Sequence, residues 1–257
     1  MSSNQDSVAV AHDLESPSSF EYIEKGFPLL QSTDAKQKLL QWNLDRSLQI
    51  FRFCVNKKIT KETEEETIQA FFRDPNVQSH LKLPRQLDNI RDLHCRRLRC
   101  TITSLSFFDK LVDAGLVASS GSLRRCMDEV YDGATAGDLV KEALINPDSE
   151  NADVFSEEEQ NEFIFQIFRA LVLGGSMCQS DDNIAPYESM TKQFYKSLVS
   201  VKKNTADPTA IDITSHVYVV EDDALFASPS PFHTCFVVFD PKKRWLTVWR
   251  HAFEPFW

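Results

Sequence analysis

The chain lacks the long apolar runs and the paired cysteines that mark several protein classes. No stretch reaches the roughly 18 to 20 apolar residues that a membrane-crossing helix needs. The most apolar segment, Phe163 to Leu173, is shorter and contains Gln166 and Arg169. The first ten residues, MSSNQDSVAV, have neither the basic nor the apolar region of a secretory signal. We therefore expect neither a membrane span nor a signal for secretion.

The cysteines also show no metal-binding or redox spacing. There are six of them, without any CxxC pair: Cys54, Cys95, Cys100, Cys126, Cys178 and Cys235. In a chain of this length without a signal, scattered cysteines are typical of reduced thiols in an intracellular protein. The expected location is therefore the cytoplasm.

Positive charge is in deficit, because 28 Lys and Arg stand against 38 Asp and Glu, for a net charge of −10. Nucleic-acid backbones and anionic membranes repel such a chain, so neither is expected as a partner. The composition, 42% hydrophobic and 26% charged, is that of a soluble globular protein. A chain of 257 residues is long enough to bury a sizeable core.

The order of sequence patterns predicts an α+β fold. Residues 1–19 are polar and rich in serine, which predicts a disordered tail, and residues 20–257 are expected to form a single globular domain. Strands are predicted at residues 20–24, 96–103 and 211–220, and on both sides of an Asp240–Lys243 turn within residues 234–250. The expected architecture is a mostly antiparallel sheet, built from strands near both ends and packed on central helices.

Apolar spacing and capping signals predict the helices. They fall at residues 34–53, 61–73, 106–115, 122–133, 138–145, 156–173 and 186–203. Ser156 and Glu159 have the spacing of a capping box. The segment from Phe163 to Leu173 is apolar around most of its circumference, which is typical of a buried helix.

The stretch LVLGGSMCQSDDNIAPY, residues 171–187, raises the question of a functional loop. Gly174 and Gly175 follow a helix, whereas phosphate loops place glycine between a strand and a following helix. A helix C-cap with a left-handed residue is the better interpretation. Cys178 as a nucleophile would need an activating histidine, but none of the six histidines lies in a motif, and neighbouring aspartates raise a thiol pKa.

Metal sites are not indicated either. Asp181, Asp182 and Asn183 lack the ligand spacing of an EF-hand loop. His94, Cys95 and Cys100 lack the two ligand pairs of a zinc site. The residues therefore predict no catalytic, metal or cofactor site, and the chain is expected not to be an enzyme.

Charged and aromatic groups suggest binding surfaces instead. A basic cluster at Arg91, Arg96, Arg97 and Arg99 and a basic turn at residues 242–244 could each receive an acidic partner, or be solvated. Trp245 and Trp249 share one strand face and are either core aromatics or, if exposed, interface anchors. The candidate partner-binding residues are Asp181, Asp182, Lys242, Lys243, Arg244 and Trp249.

Several long segments resemble a known family. They are FFRDPNVQSHLKL, SLSFFDKLVDAGLV, FSEEEQNEFIFQIFRALVLGG, LGGSMCQSDDNIAPYESMTKQFYKSLVSVKKN and an FDPKKR turn. Together they span roughly residues 68–250, and they resemble the cilia- and flagella-associated protein 300 family. The first 30 or so residues and ASPSPFHTCF fall outside the resemblance.

The resemblance implies a non-enzymatic factor, without a cofactor, in the cytoplasm and in motile cilia or flagella. It implies a role in assembling outer and inner dynein arms and in their delivery to the axoneme by intraflagellar transport. The implied partners are dynein preassembly factors, dynein arm subunits and the intraflagellar transport machinery. Two alternatives stay open: a stable structural component of the axoneme, and a thiol-dependent hydrolase that uses Cys178.

Overall fold

The structure is a computed structural model that describes residues 19–84, 93–204 and 211–255. The strands in these ranges are β1 Phe20–Tyr22, β2 Leu48–Val55, β3 Cys95–Leu98, β4 Arg125–Tyr131, β5 Ala134–Asp138, β6 Val201–Lys203, β7 Ile211–Ile213, β8 His216–Val220, β9 Thr234–Asp240 and β10 Trp245–His251. The α-helices are α1 Pro28–Gln31, α2 Thr33–Gln41, α3 Glu64–Arg73, α4 Pro75–Leu81, α5 Lys110–Asp113, α6 Leu139–Ile145, α7 Glu157–Gln160, α8 Phe163–Leu173 and α9 Ala185–Leu198.

A six-stranded sheet in the order β1-β2-β10-β9-β8-β3 forms the centre of the molecule. Each neighbouring pair is antiparallel. Two separate hairpins, β4–β5 and β6–β7, lie outside it. This confirms the predicted α+β class and the mostly antiparallel sheet built from strands near both ends.

Helices cover the sheet on both faces. Phe236 and Val238 of β9 pack with α2, α8 and α9 in one apolar cluster. Val237 and Phe239, on the opposite face by the two-residue period of a strand, pack with α3 and α4 in a second cluster. The result is three layers, because both faces of the central strands are apolar.

Helix α8 is the buried helix that the sequence predicts. Nine of its 11 residues are buried. The predicted capping box is also present, since Ser156 and Glu159 bond to each other's backbone N–H groups. The single predicted helix is nevertheless interrupted. The backbone N–H of Arg99 donates to Asn161 O, and the backbone N–H of Phe163 donates to Arg99 O. Residues 161–162 therefore lie beside Arg99, directly after β3, and the helix restarts at Phe163.

Two predicted helices are wrong in part or in whole. The predicted helix 34–53 ends at Gln41, because Asn43 adopts a positive φ of 54°, and residues 48–55 form the strand β2. The predicted helix 122–133 is the hairpin β4–β5. Its turn, Asp132–Gly133, has positive φ at both residues (47° and 83°), which suits a two-residue hairpin and not a helix end.

The remaining boundaries shift by smaller amounts. The predicted strand 96–103 is only Cys95–Leu98, and the predicted strand 211–220 is two strands, β7 and β8, in different sheets. The predicted helix 106–115 is a 3-10 turn followed by the short α5. The predicted tail lies outside the described residues, apart from Ser19. Within the described ranges, no helix combines the length and apolar character that crossing a membrane requires.

Candidate interaction surfaces

The glycine pair at residues 174–175 is a structural corner. Gly174 ends α8 with φ 62° and ψ −161°, so it has positive φ but not the left-handed helical conformation that the sequence predicts. Gly175 N donates to Trp42 O at 2.9 Å. A Cβ on Gly175 would lie 2.3 Å from Asn43 O. The glycines are therefore needed because α8 ends directly against the end of α2.

Asp181, in the loop after this corner, is committed to internal contacts. Its carboxylate accepts hydrogen bonds from Lys38 Nζ at 2.7 Å and Trp42 Nε1 at 2.8 Å. Its backbone N–H donates to Tyr187 Oη at 3.0 Å, and the Tyr187 ring stacks on Trp42 with centroids 4.6 Å apart. The side chain is only 15% exposed. Asp181 thus fastens the loop to α2 and presents little surface to a partner.

Asp182, by contrast, lies on the surface. Its side chain is 83% exposed and forms an ion pair with Arg125 at the start of β4. The two neighbouring aspartates therefore face different environments, because successive residues of an extended loop point in different directions. Of the predicted acidic pair, only Asp182 is available for an external contact.

Cys178 lies beside the same corner, against Gly174. Burial raises the pKa of its thiol, and the charge of Lys141 opposes this shift only in part. Its Sγ lies 3.9 Å from Ser180 Oγ, and in the described part of the chain no hydrogen bond joins it to a histidine. A buried thiol with a raised pKa is the opposite of an activated nucleophile.

The other cysteines and acids do not form a metal centre in the described ranges. No group of three His, Cys, Asp or Glu side chains there is arranged to hold a metal ion. Burial raises the pKa of both Cys95 and Cys100 to about 12, with nearby carboxylates adding to the shift. The structure therefore does not assemble His94, Cys95 and Cys100 into a ligand set.

Two of the three described arginines of the predicted basic cluster, Arg96 and Arg99, are paired internally, whereas Arg97 is exposed. Arg96 donates to Glu221 at 2.8 Å and also contacts Asn161. Arg99 pairs with Glu158 at 2.7 Å and with the buried Glu162 at 3.3 Å. Arg91 lies outside the described residues. This edge consequently offers less free positive charge than the sequence suggests.

The turn between β9 and β10 is the predicted basic turn, and its shape is set by Asp240. Asp240 Oδ1 accepts the backbone N–H groups of Lys242 and Lys243 at 3.1 and 3.0 Å. Burial opposes ionisation of this carboxyl, but hydrogen bonds from Ser200 and Lys243 hold its pKa below the usual range. Arg244 completes the turn with φ 54°. The three basic side chains are exposed as a result.

Trp249 does not belong to this surface. It is 1% exposed, its Nε1 donates to Thr234 Oγ1 at 3.2 Å, and its ring meets Phe194 edge-on at 5.0 Å. Trp249 is therefore a core aromatic and not an exposed interface anchor, because α9 covers this face of β10. Trp245, four residues earlier, is only partly buried and lies at the end of the same face.

The fold brings further basic residues to the predicted turn, and we name the whole group the basic end. Arg52 of β2 stacks over Trp245, with Cζ 4.8 Å from the ring centroid, and Lys243 Nζ lies 4.9 Å from the same ring. Lys243 Nζ also donates to Ser200 Oγ at 3.0 Å, where the β6–β7 hairpin leaves the body. The basic end comprises Arg52, Lys196, Lys202, Lys203, Lys242, Lys243 and Arg244.

Sequence reasoning missed four members of the basic end. Arg52 lay in a segment predicted as a helix, so its position beside Trp245 could not be expected. The helix predicted at residues 186–203 includes Lys202 and Lys203, but they lie on β6. The pairing of β2 with β10, at Arg52↔Thr247 and Cys54↔Trp245, brings Arg52 to the turn, and the bond from Lys243 Nζ to Ser200 Oγ joins the turn to the segment before β6.

A cluster of polar side chains that the sequence analysis does not predict is buried between α3 and β8. Glu64, 2% exposed, accepts hydrogen bonds from Tyr218 Oη at 2.7 Å and contacts His216 Nδ1 at 2.5 Å. A buried carboxylate needs such partners, since leaving it unpaired would be costly. The cluster joins a helix to the sheet, and all its strong acceptors are used internally.

Comparison with known proteins decides the family. The family model for "Cilia- and flagella-associated protein 300" matches residues 17–251, which is most of the chain. The chain belongs to the cilia- and flagella-associated protein 300 family. This confirms the resemblance carried by the quoted segments. The match also covers residues 17–67 and the segment ASPSPFHTCF, residues 227–236, which the resemblance leaves out.

Curated relatives carry the same family name. The chain is 30% identical over 244 residues to "Cilia- and flagella-associated protein 300" of Chlamydomonas reinhardtii, covering 89% of this chain and 95% of the relative. It is 28% identical over 242 residues to the protein of the same name from Paramecium tetraurelia, covering 90% and 95%. No solved structure matches the chain. Family membership supports a role connected with cilia and flagella.

Proposed function

We propose that this chain is a non-enzymatic factor required for the assembly of outer and inner dynein arms and for their delivery by intraflagellar transport. Its family membership carries the proposal. In this role the chain acts in the cytoplasm and in the motile cilium. It binds dynein preassembly factors and dynein arm subunits, and it engages the transport machinery with this cargo.

The surface chemistry supports a binding role. Cys178, the strongest nucleophile candidate, is buried with a raised pKa. Within the basic end, Lys242, Lys243 and Arg244 are exposed charges on a short turn anchored by Asp240, and Asp182 is an exposed charge on a loop anchored to Leu123. Charges held in this way give electrostatic complementarity to a partner at little cost in ordering.

A quantitative purification of the tagged protein from ciliated cells tests the proposal, with cytosol and axonemes processed separately. We expect dynein heavy chains and preassembly factors to be enriched mainly from cytosol. Recovery mainly from salt-washed axonemes, together with doublet proteins, would instead identify a stable structural component. In that case the transport role would be rejected.

A Cys178→Ala variant tests the remaining enzymatic alternative. We expect full rescue of ciliary motility in cells that lack the protein, because the buried thiol is not activated. Loss of motility with a variant that is folded and abundant would contradict the non-enzymatic assignment. Thermal melting of the purified variant supplies the necessary check on folding.

A further inference from the structure

We propose that the basic end is a docking site for an acidic, extended polypeptide segment of a partner protein. The inference rests on the proposed partner-binding function and names the chemistry of the partner. Its starting point is a concentration of positive charge that the overall composition does not predict. The chain as a whole has 28 basic against 38 acidic residues, yet seven basic side chains gather at this end.

Most of this charge is not neutralised within the described residues. Lys202 pairs with Asp212 at 3.4 Å, and Lys243 pairs with Asp240 at 3.3 Å. In the described ranges, the side chains of Lys196, Lys203, Lys242 and Arg244 form no ion pair. This contrasts with Arg96 and Arg99 on the β3 edge, which are paired internally.

Part of the basic end lines a small cleft beside the β9–β10 turn. It has a volume of about 110 Å³ and is lined by Arg52, Lys196, Lys243, Asp240 and Trp245, among others. Small-molecule pockets are typically roughly 300–1,000 Å³, so this cleft is nearer to the size of one side chain. Arg52 is held there by Thr247 Oγ1 at 2.9 Å and Ser197 O at 3.3 Å.

Apolar groups beside the charges indicate a polypeptide. Val201 and Ile211 of the β6–β7 hairpin are 53% and 50% exposed. Ile211 lies directly opposite Lys203, and Val201 is two residues before Lys203, so all three share one face of the hairpin. Alternating acidic and apolar side chains of an extended segment match this face, whereas a phosphate backbone offers nothing to Val201 and Ile211.

A fluorescence-anisotropy titration with the purified full chain tests the proposal. The probe is a labelled peptide of glutamate and glycine with leucine at spaced positions. The matched probe has glutamine in place of every glutamate. We expect the acidic probe to bind more tightly, and its affinity to fall as salt rises. Equal binding of the two probes would overturn the proposal.

Charge reversal locates the binding. The variant Lys203→Glu/Lys242→Glu alters two exposed side chains without an ion-pair partner in the described ranges. Because several surface charge pairs are lost, we expect the acidic probe to bind about tenfold more weakly. Arg46→Glu/Arg124→Glu makes the same change in net charge at two exposed arginines outside the basic end, and this variant's affinity for the acidic probe should change less than about twofold. Equal loss in both variants would refute a localised site.

Two further measurements allow the proposal to be tested even if the charge-reversal variant folds poorly or the site binds any polyanion. Lys203→Gln/Lys242→Gln, which removes charge without reversing it, should show an intermediate loss even if the reversal variant folds poorly. Heparin and anionic phospholipid vesicles are titrated in parallel. If either binds the wild type more tightly than the acidic peptide does, the site is one for general polyanions, and the peptide proposal fails. The assay contains no cellular partner, so it stands or falls separately from the purification from cells.

Discussion

His251, the last residue of β10, should make the stability of the fold depend on pH. The side chain is fully buried, and neither ring nitrogen has a hydrogen-bond partner in the described residues. The pKa of His251 is lowered from 6.5 to about 3, chiefly by burial and to a lesser extent by the neighbouring His233 and Arg250. The folded protein therefore holds this imidazole neutral.

The sign and size of the effect follow from the two pKa values. Between pH 6.5 and about 3, the unfolded chain binds a proton that the folded chain does not bind. The contribution of neutral His251 is fully present above pH 6.5 and is lost as the pH falls through this window. Lowering the pH from 7 to 5 should therefore reduce the free energy of unfolding by about 2 kcal/mol through this residue alone.

Urea unfolding of the wild type and of His251→Leu at several pH values between 7.5 and 5 measures this contribution. Other titrating groups are common to both proteins, so their effects cancel in the difference. The variant should gain about 2 kcal/mol relative to the wild type on going from pH 7 to pH 5. His94→Gln removes an exposed histidine and serves as the control, with a much smaller change in the difference.

A difference between wild type and His251→Leu that stays constant over this pH range would refute the reasoning. Such a result would mean that the folded state can protonate His251, through water or through a local opening of the end of β10. The absolute stability of the variant does not matter to this test. Only its dependence on pH does.

Two further predictions concern the corner after α8. Asp181→Ala should lower the free energy of unfolding by about 1–3 kcal/mol, because the buried Trp42 indole N–H loses its acceptor, whereas Asp182→Ala should change it by less than about 0.5 kcal/mol. Urea denaturation of the two variants gives both values, and equal effects would contradict the described roles. Gly175→Ala should lower the thermal midpoint by several degrees, since its Cβ would meet the backbone oxygen of Asn43 at 2.3 Å. Gly26→Ala, whose Cβ meets only the end of a flexible side chain, should melt close to the wild type, and a similar loss in both would exclude this explanation.

Local sequence signals correctly predict the elements whose conformation does not depend on contacts with distant segments. The capping box at Ser156 and the all-round apolar pattern after it identify the buried helix, and Asp240–Pro241 between two apolar runs identifies the β9–β10 hairpin. Both signals act over a few residues. The physical cause of each element is therefore contained in its own sequence.

The sequence-based predictions are wrong where contacts between distant segments determine the structure. Leu44 and Leu48 are spaced like residues of one helix face, but Leu48 begins a strand, in which buried and half-buried positions alternate and the alternation changes phase at Phe51–Arg52. The hairpin at residues 125–138 carries an Asp-Gly pair, which is a strong hairpin signal, but a glycine is equally typical of the residue that ends a helix. The basic turn at residues 242–244 is predicted, but the rest of the basic end is not, because Arg52 reaches Trp245 only through the pairing of β2 with β10 and Lys202 and Lys203 lie on a strand.

The strand order has a consequence for biosynthesis. The most C-terminal strand, β10, lies in the interior of the sheet between β2 and β9, and it pairs with residues that precede it by nearly 200 positions. While a ribosome is still translating the codons before Trp245, β2 has no inner neighbour, and an apolar edge is open to aggregation. The sheet can close only after this last strand has been released from the exit tunnel. A nonsense mutation that removes β10 should therefore prevent folding of the whole sheet, because it removes an interior strand and not a peripheral segment.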